Sequence, residues 1–177
     1  MGKLIIVRHG ETDYNVQGRY TGQTDISLNV AGMEQARLTA EKLKDEAIDL
    51  IICSTLKRAK ETANIINETL HLPMLERNEL IEICMGVYQG LTKEEIIEKY
   101  PEMWENQLPK GREDFSVVED RVYKVMEDIK REYSEKNVLV VTHGYIAKVI
   151  NKYFNNPSEE EFHKYFLYNC NYSVYVI

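Results

Sequence analysis

Three short aliphatic runs, each ending in a polar cluster, constrain this chain more than any other feature. They are Leu-Ile-Ile-Val at 4–7, Ile-Asp-Leu-Ile-Ile-Cys at 48–53 and Asn-Val-Leu-Val-Val-Thr at 137–142. Branched runs this short read as strands buried on both faces. Between them, apolar residues recur every three or four positions, the period of a helix with one buried face. A helix is expected from an N-cap at Ser27 to about Glu46, with Ala36, Ala40, Leu43 and Ala47 inward. Ser54 is expected to open a second helix to about Leu70, followed by a short strand near 72–75 and an irregular stretch over 76–91. Thr92–Glu95, Ser116–Glu119 and Ser158–Glu161 fit the capping box, so helices are expected at 93–99, at 117–134 and just after 158. A helix follows His143-Gly144 to about Phe154, and residues 166–168 and 172–177 read as a terminal strand pair.

Strands alternating with helices imply right-handed crossovers. The expected fold is α/β: a three-layer αβα sandwich around a mostly parallel sheet. Residues 1–177 are read as one domain. The stretch 91–113, with Pro101, Trp104, Pro109 and Gly111, is read as a small helical excursion over the sheet edge.

Charge narrows the partners. The chain has 22 Lys and Arg against 29 Asp and Glu, a net charge of −7. With no basic stripe, such a balance disfavours nucleic acid and anionic membrane surfaces. No apolar run is long enough for a membrane-spanning helix. The apolar start before Arg8 is too short for a signal-peptide core. Val7 stands near where a myristoylation pattern wants a small hydroxyl residue. Cys53, Cys84 and Cys170 form no C-x-x-C, so each is read as a free thiol and the expected location is the cytosol.

Ligands of open α/β sheets collect at the carboxyl ends of the strands. Three polar clusters fall there: Arg8-His9-Gly10-Glu11-Thr12, Ser54 to Arg58, and Thr142-His143-Gly144. A single histidine at a strand end is usually structural, and a single arginine usually a surface ion pair. Two of each at equivalent places on one sheet point to a phosphate site. Arginine pairs bidentately with phosphate. A neutral imidazole is a nucleophile near pH 7, and a second imidazole can donate to developing charge. A helix opening at Gly144 would aim backbone N–H groups at an anion.

These residues carry a resemblance. Leu4 to Thr12 resembles the signature of the histidine phosphatase superfamily, also called the phosphoglycerate mutase-like family. The likeness continues through Asn15, Gly18 to Gly22, Leu28 and Gly32 to Ala36, then Ser54 to Ala63, and ends with Val141 to Gly144. It implies a phosphoglycerate mutase-like fold and a phosphohistidine formed on His9. Arg8, Arg58 and His143 would surround the phosphoryl group, and Asn15, Thr21, Gly22 and the Gly144 N–H would complete the substrate site. The family's acid/base carboxylate corresponds to Glu82; by residue pattern alone Glu82 is only a loop acid. Residues 82–96 resemble the small phosphatase branch, which includes broad-specificity and α-ribazole phosphatases. Tyr88-Gln89 stands where that branch often has Trp-Glu, and Arg112-Glu113-Asp114 only partly matches its Gly-Glu-Ser-like stretch.

The leading expectation is hydrolysis of a small phosphorylated metabolite with no metal and no cofactor. A phosphoryl-returning mutase and a non-enzymatic phospho-ligand binding module are the alternatives. A nucleotide-binding doubly wound protein is disfavoured, since no Gly-rich phosphate loop follows a strand. Tyr14, Tyr20 and Tyr88 lie in the loops around the expected pocket, where one or more could meet the leaving group. His71 and His163 match no catalytic position. Oligomeric state is left open.

Overall fold

The computed structural model describes residues 1–106 and 109–177. In chain order its elements are β1 (Lys3–Arg8), α1 (Asp13–Val16), α2 (Val30–Leu43), β2 (Leu50–Ser54), α3 (Lys57–Leu70) and β3 (Met74–Arg77). Then come α4 (Lys93–Lys99), α5 (Pro101–Asn106), α6 (Phe115–Tyr133), β4 (Val138–Thr142), α7 (Gly144–Asn155), α8 (Glu159–Lys164) and β5 (Tyr172–Val176). Single 3₁₀ turns occupy Asn78–Leu80 and Gly86–Tyr88.

The sheet order is β3-β2-β4-β1-β5, parallel throughout except for β5, which runs antiparallel to β1 at one edge. Alternation along each strand divides the core. Leu4, Ile6, Ile52, Val138 and Val140 join Val122, Met126, Ile146 and Ile150 beneath α6 and α7. Ile5, Val7, Ile51, Leu139 and Val141 join Ala40, Leu43, Ala63 and Ile66 beneath α2 and α3. Helices on both faces of a mostly parallel sheet are the three-layer αβα arrangement that the three aliphatic runs imply. Val138 to Val141 are fully enclosed, and burying each such side chain contributes about 1.5–3 kcal/mol.

The neighbours β1 and β4 send their following helices to opposite faces, α2 to one and α7 to the other. That divergence is the switch point at which open sheets leave a crevice beyond the strand ends.

Several boundaries differ from expectation. Asn29, not Ser27, caps α2, its side chain accepting the Gly32 N–H at 2.8 Å. The helix ends at Leu43, and Ala47 lies beyond it with φ 41°. Ser54 ends β2 and does not open α3, which starts at Lys57. The third strand falls two residues late because the Asn67 amide brackets Leu72 in a turn, donating to its carbonyl at 3.0 Å and accepting its N–H at 2.7 Å. The Ser116–Glu119 box does not form: α6 has already begun at Phe115, and the Glu119 carboxylate pairs with Lys152 of α7. Residues 166–168 make no strand, and β5 pairs with β1 alone. The loop after β1 holds the one-turn α1, closed by a capping box of Thr12 and Asn15. The boxes at Thr92 and Ser158 form as read.

Candidate active site

Strand register brings the two histidines together. Arg8 pairs with Thr142 on the last rung of β1 and β4, and the His9 N–H donates to the Thr142 carbonyl at 2.9 Å. One residue on, the rings of His9 and His143 lie 5.2 Å apart between centroids. The chain then turns sharply at Gly10, where any β-carbon would come within 2.5 Å of the Gly32 carbonyl oxygen. The Gly10 N–H is held by the Thr62 hydroxyl at 3.0 Å.

His9 is almost fully buried, and its Nδ1–H donates to the Gly10 carbonyl at 2.7 Å. That bond selects the tautomer with the proton on Nδ1 and the lone pair on Nε2. Arg58, fully buried at the start of α3, donates from Nε to His9 Nε2 at 3.2 Å. Its other nitrogens donate to the carbonyls of Thr24 at 2.9 Å and Gly22 at 2.7 Å. The second of these depends on Gly22, whose φ of 50° turns the loop back over the arginine.

Burial pushes the Arg58 guanidinium down to about 10, against an upward pull from Glu82. Arg8 is lowered by burial and likewise supported by Glu82. Burial above all, and then the Arg58 and Arg8 charges, hold His9 well below its ordinary value. His143 is held low by burial and by Arg58, His9 and Arg8. Both imidazoles are therefore neutral at pH 7, inside a doubly cationic pocket.

Two buried nitrogens here have no protein partner among the described residues, Arg8 Nε and His143 Nδ1. Buried donors are normally satisfied, and unpaired ones mark places where a ligand completes the bonding. Arg8 is anchored by its Nη1 donating to the Leu167 carbonyl at 2.9 Å. His143 Nε2 shares a 2.7 Å hydrogen bond with the Ser54 hydroxyl at the end of β2.

The cleft over His9 encloses about 270 Å³. Of the residues singled out by sequence, Arg8, His9, Asn15, Thr21, Gly22, Arg58 and Glu82 line it. His143 and Gly144 stand behind this lining: His143 is fully buried, and a β-carbon on Gly144 would lie 3.5 Å from Arg8 Nε. The Asn15 side-chain oxygen accepts from Thr12 and Asn169, which leaves its N–H groups for a ligand.

Glu82 is not a solvated loop acid. Its Oε1 accepts the Ile83 N–H at 3.0 Å and its Oε2 accepts the Tyr145 N–H at 3.2 Å, in the first turn of α7. The backbone carrying it is clamped by Arg121 of α6, which donates to the carbonyls of Glu79, Ile81 and Glu82 and forms an ion pair with Glu113 at 2.9 Å. Gln23 donates to the Glu82 carbonyl from the opposite side at 3.0 Å. Two nearby acids are engaged elsewhere, Glu11 with Asn29 and Glu113 with Arg121.

Sequence reading missed Ser54 as the partner of His143, and it missed Arg121. Each had a signal. Ser54 ends the strand beside the one that leads into His143. Arg121 lies three residues after Val118 and four before Val125, on the flank of the buried stripe of α6, where an unpaired charge would be out of place. Arg19 also lines the cleft, held by Glu95 at 2.6 Å. Tyr20 lines the cleft, whereas Tyr14 packs near Gly90. His71 and His163 are exposed. Cys53 and Cys170 are buried, Cys84 is half-buried, and all three are free thiols. Among the described residues no group of three His, Cys, Asp or Glu gathers as a metal site would require, and no helix is long and apolar enough to cross a membrane.

The sequence profile of the histidine phosphatase superfamily (branch 1) matches residues 4–177. The uncharacterized phosphatase PhoE of Bacillus subtilis is 43% identical over 144 residues, covering 81% of this chain and 72% of that one. Phosphoserine phosphatase 1 of Hydrogenobacter thermophilus is 38% identical over 150 residues, covering 81% and 71%. A mycobacterial glucosyl-3-phosphoglycerate phosphatase, solved as a complex with VO3, superposes with a TM-score of 0.89 at 27% identity, over 98% of this chain and 90% of that one. With two neutral histidines, a buried Arg58 and a half-buried Arg8 at the switch point of the sheet, and with a profile match spanning nearly the whole chain, the protein belongs to branch 1 of the histidine phosphatase superfamily.

Proposed function

We propose that the chain hydrolyses a small-molecule phosphate monoester through a phosphohistidine on His9, without a metal ion. The observation that carries this reading is the His9 tautomer. Nδ1–H is tied to Gly10, and the Nε2 lone pair faces the cleft, where it accepts the Arg58 Nε–H until an incoming phosphoryl oxygen takes over that donor. In the first step Nε2 attacks phosphorus in line, the P–N bond forms, and the ester P–O bond breaks. The departing oxygen takes up a proton by way of Glu82, the carboxyl group that lines the cleft. Arg8, Arg58 and a proton on His143 Nδ1 meet the three phosphoryl oxygens. Ser54 donating to His143 Nε2 would keep that proton on Nδ1. In the second step water attacks phosphorus, Glu82 takes its proton, and the P–N bond breaks with its electron pair returning to Nε2. The sum is ester and water to alcohol and phosphate.

Rapid quenching with a phosphate-labelled ester is expected to trap an acid-labile, base-stable label, absent from a folded His9→Ala protein. A label on a hydroxyl side chain, or normal turnover by that variant, would overturn the mechanism. Release of one inorganic phosphate per ester consumed separates hydrolysis from a mutase, which returns the group to its substrate.

A further inference from the structure

Beside the cleft over His9 lies a second chamber. Tyr20, Ile83, Met85 and Tyr145 line both spaces, so the two adjoin along these four side chains. The second encloses about 380 Å³, more than the first, and its exposed lining is mainly apolar. Beyond the shared residues, its walls are the rings of Tyr88, Trp104 and Phe115. These rings brace one another. Phe115 stacks on Tyr145 at 5.4 Å, and Tyr88 lies 6.4 Å from Trp104 and 6.2 Å from Tyr20. The one charged side chain in the described lining, Arg112, has its guanidinium 4.0 Å above the Phe115 ring and so presents another flat surface. Its backbone is pinned by a bridge to Met85.

A phosphoryl group held by Arg8 and Arg58 places the ester oxygen near Glu82, and the rest of the alcohol has to leave the polar cleft. The adjoining space suits flat apolar groups: aromatic walls favour ring-on-ring contact, and a mainly apolar enclosure of this size is typical of small-molecule recognition. It is poorly suited to short alcohols whose charges need several partners, since burying polar groups without partners is unfavourable. We infer that the alcohol half of the substrate is a ring-bearing, largely apolar group seated between Tyr88, Trp104 and Tyr145. The inference rests on the phosphatase reading and narrows it to a substrate class.

The test compares 2-phenylethyl phosphate with ethyl phosphate. Both release primary alcohols of similar acidity, so the ratio of their kcat/KM values reads the chamber and not the chemistry. Burial of a phenyl ring predicts a ratio on the order of 10²-fold. Trp104→Ala should compress that ratio about tenfold, and Trp104→Phe should retain most of it. Trp104 is the single tryptophan of the chain. Its fluorescence in the His9→Ala protein should therefore change on titration with 2-phenylethyl phosphate and remain flat with ethyl phosphate. Equal kcat/KM for the two esters in the wild-type protein would overturn the inference while leaving the phosphatase reading intact. No hydrolysis of either ester, or of an aryl phosphate, together with a saturable Trp104 response would overturn the phosphatase reading and leave the chamber's specificity standing.

Discussion

The Glu82 carboxylate caps the helix that follows the second histidine: its Oε2 accepts the Tyr145 N–H at 3.2 Å. The 12-residue α7 therefore directs the positive end of its dipole at the residue proposed as the proton carrier. With its other oxygen accepting the Ile83 N–H at 3.0 Å, the carboxyl group is held from both sides, and proton transfer requires such fixed placement.

Glu82→Gln preserves the shape of that cap but carries no transferable proton. It should lower kcat/KM for an alkyl phosphate by ~10²–10⁴-fold, and far less for a nitrophenyl phosphate, whose leaving group needs no acid. Steady-state kinetics on the two esters provides the check. Equal losses on both would move the acid role elsewhere.

Arg121→Met should loosen the segment that carries Glu82. Three carbonyls and the Glu113 carboxylate lose their donor. The expected destabilisation is about 2–3 kcal/mol by urea titration, since partly buried acceptors are left unsatisfied. The kinetic defect should follow that of Glu82→Gln, heavier on the alkyl ester, with partial recovery in Arg121→Lys. An equal defect on both esters would assign Arg121 to global stability alone.

Acidification should destabilise the fold through the paired histidines. Burial and the neighbouring arginines hold both rings well below their ordinary value of 6.5. Below about pH 6.5 the unfolded chain takes up a proton on each ring and the folded chain does not. The contribution is therefore complete above that pH and declines as pH falls toward the folded values, by up to about 1.4 kcal/mol per pH unit for each ring. Denaturant midpoints between pH 7.5 and 5.5 measure this slope, and a midpoint that rises on acidification would contradict neutral burial.

Chelation should leave turnover unchanged. Arg8 and Arg58 supply the positive charge that metal ions supply in two-metal phosphatases. Dialysis against EDTA followed by assay in metal-free buffer is the measurement. A loss restored by Mg²⁺ or Zn²⁺ would reject the arginine-based reading.

The central layer was legible because aliphatic runs such as 4–7 and 137–142 admit few other uses, and strand ends then determine where polar residues gather. His9, His143, Arg8 and Arg58 were found on that logic. Boundaries set by side-chain hydrogen bonds were not legible in the same way. Nothing local to Leu72 says that Asn67 will hold it in a turn, and nothing in Ser116–Glu119 says that Lys152 will claim the glutamate. Ser54 and Arg121 escaped for a related reason: each acts across a sequence separation of 30 residues or more, on His143 and on the Glu79–Glu82 segment. The aromatic chamber depends on which rings the excursion after residue 91 brings over Met85, and composition alone does not specify that.

The sheet order has a consequence for synthesis. Strand β1 takes as its neighbours β4, with Leu4 opposite Val138, and β5, which is later still. A ribosome delivers the first strand long before either neighbour exists. At about 5–20 residues per second the wait for β4 is roughly 7–27 s. During that time Leu4 to Val7 travel as an unpaired aliphatic segment, attractive to holdase chaperones and to other nascent chains. The His9 loop waits longer, because the His9 carbonyl accepts from Asn169 and the Arg8 side chain donates to the Leu167 carbonyl. Premature termination between residues 145 and 166 would release a chain that carries every side chain proposed for catalysis and yet lacks the contacts that hold His9 and Arg8 in place.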